Sequence, residues 1–598
     1  MSEQKRIDMS QHFYRASATD FMKIPGNPVA YWVGKKTLKA LDNSINLGEF
    51  SDARMGLATG NNARYMRTWH ELARENIGIG FQNRETAKES ELRWFPYCKG
   101  GQFRKWYGNN EYVVDWKNDG YELQNTLHPS GSRIWAHNFN LDHIFEDSLT
   151  WSDITSGHLS VRFNNTGFLF DGSGTCAFFK NENEKLASLG FLNTQFSKEF
   201  SKVLNPTLHF QTGDYRNMPF NKKLLNDTYI EVTKNLITKA RKDWDSYETS
   251  WDFTYLPLLT QDARKPTISS CYEKTRAQWL RETKETQRLE EENNRIFNNI
   301  YGLQDELTSE VPLKEITLTC NPHYRYGGDL TEQEREDRLQ SDTIAELLSY
   351  AIGCMMGRYS LDREGLVYAH AGNQGFADLV VEGAYKTFDA DDDGILPLTE
   401  QEWFSDDVTN RLSEFVSTVW GEQQLEENLQ FIADSLCLYA LKTKKGERAL
   451  DTIRRYLSNQ FYKDHLRTYK RRPIYWLFSS GKHKAFECLV YLHRYHEGTL
   501  ARMRAEYVIP LSSRINARIN RLSEEADAAD STAERNQINR ELKTLHNQQA
   551  ELATFDEQLR HHADMRITLD LDDGVKENYG KFGNLLDSVK AVTGQAAE

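Results

Sequence analysis

The sequence predicts an α+β fold: a β-rich domain followed by a mostly helical C-terminal region that ends in an antiparallel helical hairpin. Three observations carry this. The first 220 residues are rich in Gly, Asn and aromatics, and strand-like runs such as Tyr112-Val113-Val114 and Leu159-Ser160-Val161-Arg162-Phe163 alternate with Gly/Asn/Asp turns. From Asp342 to about Leu500, apolar residues such as Ile344, Leu347, Leu348 and Ile352 recur at helical spacing. Near the C-terminus, Leu511, Ile515, Ile519 and Leu522 mark one helix, and Ile538, Leu542, Leu545, Leu552 and Leu559 mark a second. The small polar break DAADST (527–532) separates them. Two helices folding back on each other account for this pattern; one long helix with a weak middle is the alternative.

Taken in order, residues 1–45 read as a connector and 46–220 as the β-rich domain. Residues 221–310 form a helical connector, with a helical pattern from Lys222 to Asp243 and a long polar helix over 271–307. Residues 311–500 are mostly helical, and 501–598 hold the hairpin and a tail. A chain of 598 residues is long enough to bury several cores. Its formal net charge of −13 excludes a generally basic coat, so any nucleic-acid surface must be local. Seven scattered cysteines with no C-x-x-C pair point to reduced thiols in a cytoplasmic compartment. The N-terminal residues carry no apolar signal-like run, and no uncharged apolar stretch approaches membrane-spanning length.

Two windows depart from the acidic background. Arg93 to Asn110 (RWFPYCKGGQFRKWYGNN) holds six aromatics, four Lys or Arg and no acid. Aromatic faces stack on bases, cations neutralise phosphates, and Gly100-Gly101 lets a backbone approach closely. The competing reading is a half-buried β-rich patch. Arg454 to His496 holds ten Lys or Arg and four His against only Asp464 and Glu487, with ten aromatics interleaved. A charge run is usually a solvated helix face, but a local net of +8 in so acidic a chain favours nucleic-acid contact. Lys99, Arg104 and Lys105 are the candidates to reach base edges. Lys470, Arg471, Arg472, Lys482 and Lys484, flanking a more helical segment, are the candidates to hold phosphates. A third, weaker feature is the turn Thr59-Gly60-Asn61, which places Arg64 and Arg67 one turn apart if a helix follows.

Asp389, Asp391, Asp393, Gly394 and Glu400 fit the twelve-residue calcium-loop pattern, although Pro397 occupies its ninth position and no partner loop exists. An acidic surface turn before a helix is the other reading. No phosphate-binding G-x-x-x-x-G-K-[ST] loop is present, and Asp171-Gly-Ser-Gly-Thr175 lacks dinucleotide or S-adenosylmethionine loop spacing. Asn321-Pro322-His323-Tyr324 approaches the (Asn/Asp)-Pro-Pro-aromatic turn of amino-methyltransferases, but His replaces the second Pro, and an extended loop is expected.

These stretches resemble the C-terminal, target-recognition half of the PglX family, the adenine-specific DNA methyltransferases of BREX phage-defence systems. The similarity rests on FYRASATDFMKIPGNPVAYWV (13–33), GLATGNNARYMRTWHE (56–71), RWFPYCKGGQFRKWYGN (93–109), LNPTLHFQTGDYRNMPF (204–220), LEEENNRIFNNIYGLQDEL (289–307) and CNPHYRYG (320–327). It continues through AELLSYAIGCMMGRYSLD (345–362), RRPIYWLFSSGK (471–482) and LDLDDGVKENYGKFG (569–583). The resemblance implies that residues 46–220 are a target-recognition domain and 311–500 a DNA-contacting one. It places the S-adenosylmethionine pocket and the Asn-Pro-Pro-Tyr motif upstream of Phe13. It therefore implies no catalytic residue and no cofactor in this chain, double-stranded DNA and a methyltransferase-domain polypeptide or N-terminal half as partners, and other BREX subunits as further ones. A non-enzymatic scaffold or interaction subunit is the alternative.

Overall fold

Runs with a period of two become strands and runs with a helical period become helices over most of the chain. The computed structural model describes residues 17–24, 29–154 and 158–595. The segments 13–16 and 25–28 of the first family-like stretch lie outside the described residues. The result is an α+β protein of many helices and several small sheets.

The chain divides into two units interlaced in sequence. The first takes residues up to 66, 78–244 and 279–325; the second takes 67–77, 245–278 and 326–598.

In the first unit, an antiparallel sheet runs in the order Ser51–Arg54, Cys176–Phe179, Ser148–Trp151, Val161–Asn164. A second sheet pairs Trp94–Cys98 antiparallel to Tyr112–Asp115 and parallel to Leu169–Phe170. Both expected strand runs are present, the first extended by one residue to Asp115 and the second beginning two residues later, at Val161. Helices Glu182–Leu192, Gln195–Leu204 and Asp227–Trp244 and the latter part of Ile268–Tyr301 supply the remaining apolar faces. Their core is aromatic: Trp151 stacks on Tyr215 at 4.8 Å, and Phe191, Phe196, Phe297 and Tyr301 stack around one another. Asn and Thr caps start the short helices; Asn181 and Thr194 each accept an N–H from their helix's first turn.

The second unit is more helical, built on Glu332–Met355, Val408–Trp420, Leu425–Tyr439 and Ala449–Tyr456. It also contains a sheet that the helical pattern did not announce: Ile395–Pro397, Glu487–Tyr491 and Tyr475–Ser479, all antiparallel. The reason is visible in IYWLFSS, where aromatic and β-branched residues fit a pleated surface and Gly481 closes the turn. The expected hairpin is Ile509–Ala528 followed by Thr532–Asp564, with Ser531 capping the second helix. Leu511, Ile515, Ile519, Leu522, Leu545, Leu552 and Leu559 are buried along the seam, and Arg518 pairs with Glu541 across it at 2.9 Å. Among the described residues, no helix is long and apolar enough to cross a membrane.

Candidate nucleic-acid interface

The aromatic residues of the first window are core. Trp94, Phe95 and Tyr97 lie on a strand buried on both faces, and Trp106 and Tyr107 are buried beyond it. Its cations are taken up by carboxylates far away in sequence. Arg93 pairs with Asp115 at 2.8 Å and Lys99 with Asp171 at 2.7 Å. Arg104 is only 6% exposed; it donates to Thr319 at 2.6 Å and reaches Asp243 at 3.4 Å, with its guanidinium 4.9 Å from the Trp244 ring centre. Lys105 is 5% exposed and is bonded to Glu290, whose other oxygen accepts from the Trp106 indole at 2.8 Å. Burial pushes the Glu290 carboxyl upward, and the Lys105 ammonium opposes that shift. Gly100, with φ of 80°, does permit a close approach, but to the chain's own Ser173 carbonyl, 2.6 Å from where a Cβ would stand. The expectation that Arg104 and Lys105 read base edges is therefore corrected: each is enclosed and satisfied internally. Lys99 is part-buried and held by Asp171.

The Gly60 turn forms as expected, with Asn61 capping a helix, but that helix ends at Tyr65. Arg64 and Arg67 do not share a helical face. Arg64 pairs with Glu122 on the surface, whereas Arg67 donates to the Asp572 carbonyl at 3.2 Å and is half-buried.

The second window divides its cations differently. Lys484 donates to the Ser458 carbonyl at 2.6 Å and sits 3.1 Å from Glu487. Burial pushes Glu487 up to about 7, and Lys484 opposes this, so Lys484 is a neutralising partner in the fold. Arg472 is half-buried and donates to the Val592 carbonyl at 3.3 Å. Lys470, Arg471 and Lys482 are exposed. Among the described residues, the Arg471 and Lys482 side chains form no ion pair or hydrogen bond. The segment around them is not the expected helix. Lys470 and Arg471 close the helix Tyr462–Thr468 in left-handed conformations, with φ of 51° and 60°. Their N–H groups donate to the Arg467 and Leu466 carbonyls, as glycines usually do at such an end. Each β-carbon forced into this region costs about 1 kcal/mol. Just beyond, His465 accepts from the N–H groups of Ile474 and Tyr475, both at 3.1 Å; burial drives its pKa down to about 3, keeping the ring neutral for that task. Lys482 is carried by the loop between Tyr475–Ser479 and Glu487–Tyr491. Glu551 anchors that loop by accepting from Ser480 at 2.7 Å, His483 N–H at 2.6 Å and Ala485 N–H at 3.2 Å. Pattern reading missed both devices. The only local sign of the first was a Lys-Arg pair at the position where a helix end favours Gly or Asn.

The acidic loop uses its carboxylates on itself. Asp391 accepts from the N–H groups of Asp393 and Gly394 at 3.0 and 2.7 Å, and Asp393 accepts from Ile395 N–H at 2.7 Å and Tyr507 at 3.0 Å. The Asp389 carbonyl accepts from Arg411, while the Asp391 and Asp392 carbonyls accept from the buried Arg494. Glu400 is exposed. Among the described residues, no three His, Cys, Asp or Glu side chains are grouped to hold a metal ion; of the calcium-loop candidates Asp389, Asp391, Asp393 and Glu400, Asp391 and Asp393 are tied to the loop's own backbone, and Asp393 lies 3.4 Å from Arg502.

The Asn321-Pro322-His323-Tyr324 turn bonds to its own chain. The Asn321 amide is buried, donating to the Leu313 and Ile316 carbonyls at 2.8 Å and accepting from His323 N–H. Tyr324 donates to the Phe103 carbonyl. These bonds hold the loop together.

No protein-family model matches the chain. It is 46% identical over 590 residues to the adenine-specific methyltransferase BrxX of Escherichia coli O9:H4 (strain HS), an alignment covering 98% of this chain and 47% of that protein. It is 40% identical over 581 residues to the adenine-specific methyltransferase PglX of Lacticaseibacillus casei (strain Zhang), covering 95% of this chain and 45% of that protein. Nearly all of this chain is thus similar in sequence to two proteins named adenine-specific methyltransferases, and it spans about half the length of these curated relatives.

Proposed function

We propose that this chain is the DNA-recognition part of a BREX-type, site-specific adenine-N6 DNA methyltransferase, serving phage defence and the marking of host DNA. The observation that carries this reading is the alignment of nearly the whole chain with two proteins named adenine-specific methyltransferases. S-adenosylmethionine and the transfer step belong, in this reading, to the portion of the relatives outside the match, whether as a separate methyltransferase-domain polypeptide or as an N-terminal half. A stacked adenine cannot reach a buried pocket, so such an enzyme must turn the base out while another surface grips the duplex. Lys470, Arg471 and Lys482 are suited to that grip: they are exposed, and two of them are held in fixed conformations at the end of a helix. They would contact phosphates and set position without reading sequence. Action on double-stranded DNA places the protein in the cytoplasm, alongside other subunits of the system.

The burial of the first window's aromatics and cations favours a second reading, a scaffold subunit that binds protein alone. Binding of duplex DNA across a salt series separates the two. The triple variant Lys470→Ala/Arg471→Ala/Lys482→Ala is expected to bind all sequences more weakly, with a log–log salt slope smaller by about 0.9 for each phosphate no longer neutralised. An unchanged slope and affinity would establish the scaffold reading. Incubated alone with labelled S-adenosylmethionine and DNA, the chain is expected to incorporate no methyl group.

A further inference from the structure

Between the strands of the first unit lies a buried polar cluster. Cys98, on Trp94–Cys98, and Cys176, on Cys176–Phe179, come together although they are far apart in sequence. The segments that carry them meet closely: the Cys98 carbonyl accepts from Asp171 N–H at 2.8 Å, a Cβ on Gly174 would lie 2.3 Å from it, and the Cys176 thiol donates to the Gly174 carbonyl at 3.5 Å. The Cys98 thiol stands 2.9 Å from the Thr150 hydroxyl, and Thr150 pairs with Cys176 across the sheet. Both cysteines thus border Thr150. Arg162, 1% exposed, lies opposite Thr150 on the next strand, and its Nε and Nη2 have no hydrogen-bond partner. A buried guanidinium left with unpaired donors is costly unless an anion compensates it, and the thiols are what it faces.

We propose that Cys98 and Cys176 are a redox-active dithiol, a modification site that hydrogen peroxide converts to a disulfide within the folded unit. The Cys98 thiolate attacks one peroxide oxygen, the O–O bond breaks, and hydroxide leaves, giving a sulfenic acid on Cys98. The Cys176 sulfur then attacks the Cys98 sulfur. An S–S bond forms, the S–O bond breaks, and the thiol proton leaves with the hydroxyl as water. Overall, two thiols are oxidised and one peroxide is reduced to two waters. The chemistry of the two sulfurs is suitably unequal. The hydrogen bond from Cys176 and the charge of Arg162 hold the Cys98 thiol down at about 7, while burial pushes the Cys176 thiol up. The first is therefore the nucleophile and the second the resolving thiol. This inference does not depend on the DNA-recognition reading.

The test is graded peroxide treatment of the intact chain, followed by alkylation in denaturant and peptide mass spectrometry. The expected result is a Cys98–Cys176 linked peptide, lighter by two hydrogens than the reduced pair, formed while the buried Cys271, Cys354 and Cys488 remain alkylatable. In Cys176→Ser, a sulfenic acid on Cys98 is expected to be trapped by dimedone; in Cys98→Ser, Cys176 is expected to remain a thiol. Arg162→Gln is expected to slow linkage less than about tenfold at neutral pH, because Cys98 loses the charge of Arg162 but keeps the larger influence of Cys176. Recovery of Cys98 and Cys176 as separate alkylated thiols at peroxide levels that oxidise the part-exposed Cys437 would overturn the proposal, as would linkage only after unfolding. The wild-type measurement decides the matter even if a variant fails to fold.

Discussion

The two basic, aromatic windows look alike as composition and end in opposite circumstances. In 93–110, Lys99, Arg104 and Lys105 are matched to Asp171, Asp243 and Glu290, all supplied by other segments of the same unit. In 454–496, Arg454, Arg455, Arg472, Lys484 and Arg494 are likewise absorbed by internal partners, but the side chains of Arg471 and Lys482 are not, among the described residues, and they stay exposed, as does Lys470, at a helix end and a hairpin loop. A local excess of positive charge therefore says little about exposure. What separates the windows is whether backbone geometry carries the cations outward, through a left-handed helix end or a turn anchored by Glu551, or inward, on the segment that follows the buried strand Trp94–Cys98.

The comparison breaks most readily at Lys105. Lys105→Ala leaves Glu290 buried without its counter-charge and is expected to cost about 3–5 kcal/mol in chemical denaturation. Lys482→Ala, at an exposed site, is expected to change stability by less than about 0.5 kcal/mol. Equal effects from the two would mean that the first window is not part of the core.

A second test uses pH. Tyr469, in the second window, donates to Glu248 at 3.1 Å, and burial raises that carboxyl from 4.5 to about 7 against the opposing charge of Arg358. The folded state keeps a proton that the unfolded chain releases between those values. This contribution is fully present below about pH 4.5 and is lost as pH rises to about 7, at up to about 1.4 kcal/mol per pH unit. Glu248→Gln is expected to flatten that part of the stability profile. An unaltered slope would mean that the buried carboxyl does not set the pH dependence.

Arg471→Gly sharpens the contrast by separating stability from binding. Glycine suits the left-handed position, so a gain of up to about 1 kcal/mol is expected, together with weaker DNA binding and a lower salt slope. A variant that loses both stability and binding would show Arg471 to be structural, as Lys105 is. The smallest effect concerns the acidic turn. Millimolar calcium is expected to leave the melting temperature unchanged in both the parent and Glu400→Gln, whereas a ligand at 100 times its Kd would add about 2.7 kcal/mol.

Much of the fold was legible from periodicity. The hairpin residues Leu511, Ile515, Ile519 and Leu522 are buried as their spacing implies, because a helical face is a local property. The strand Tyr475–Ser479 was missed because its apolar run is short and lies between helical patterns, where periodicity alone does not separate a buried strand from a helix. The candidate site was less legible. Arg471 and Lys482 are exposed, but Arg104 and Lys105 became core through partners at positions 243 and 290, which no local window contains.

The sequence by itself determined the α+β class, the helical hairpin and, through its extended motifs, the resemblance to PglX-type methyltransferases. Each rests on residue order over short spans or on the whole alignment. Only the tertiary structure decided which charges face water, that the two units are interlaced along the chain, and that Cys98 lies against Cys176 beside Arg162. Ion pairing and burial depend on which distant segments meet, and low-dielectric pairing is available only to groups that folding has already brought together.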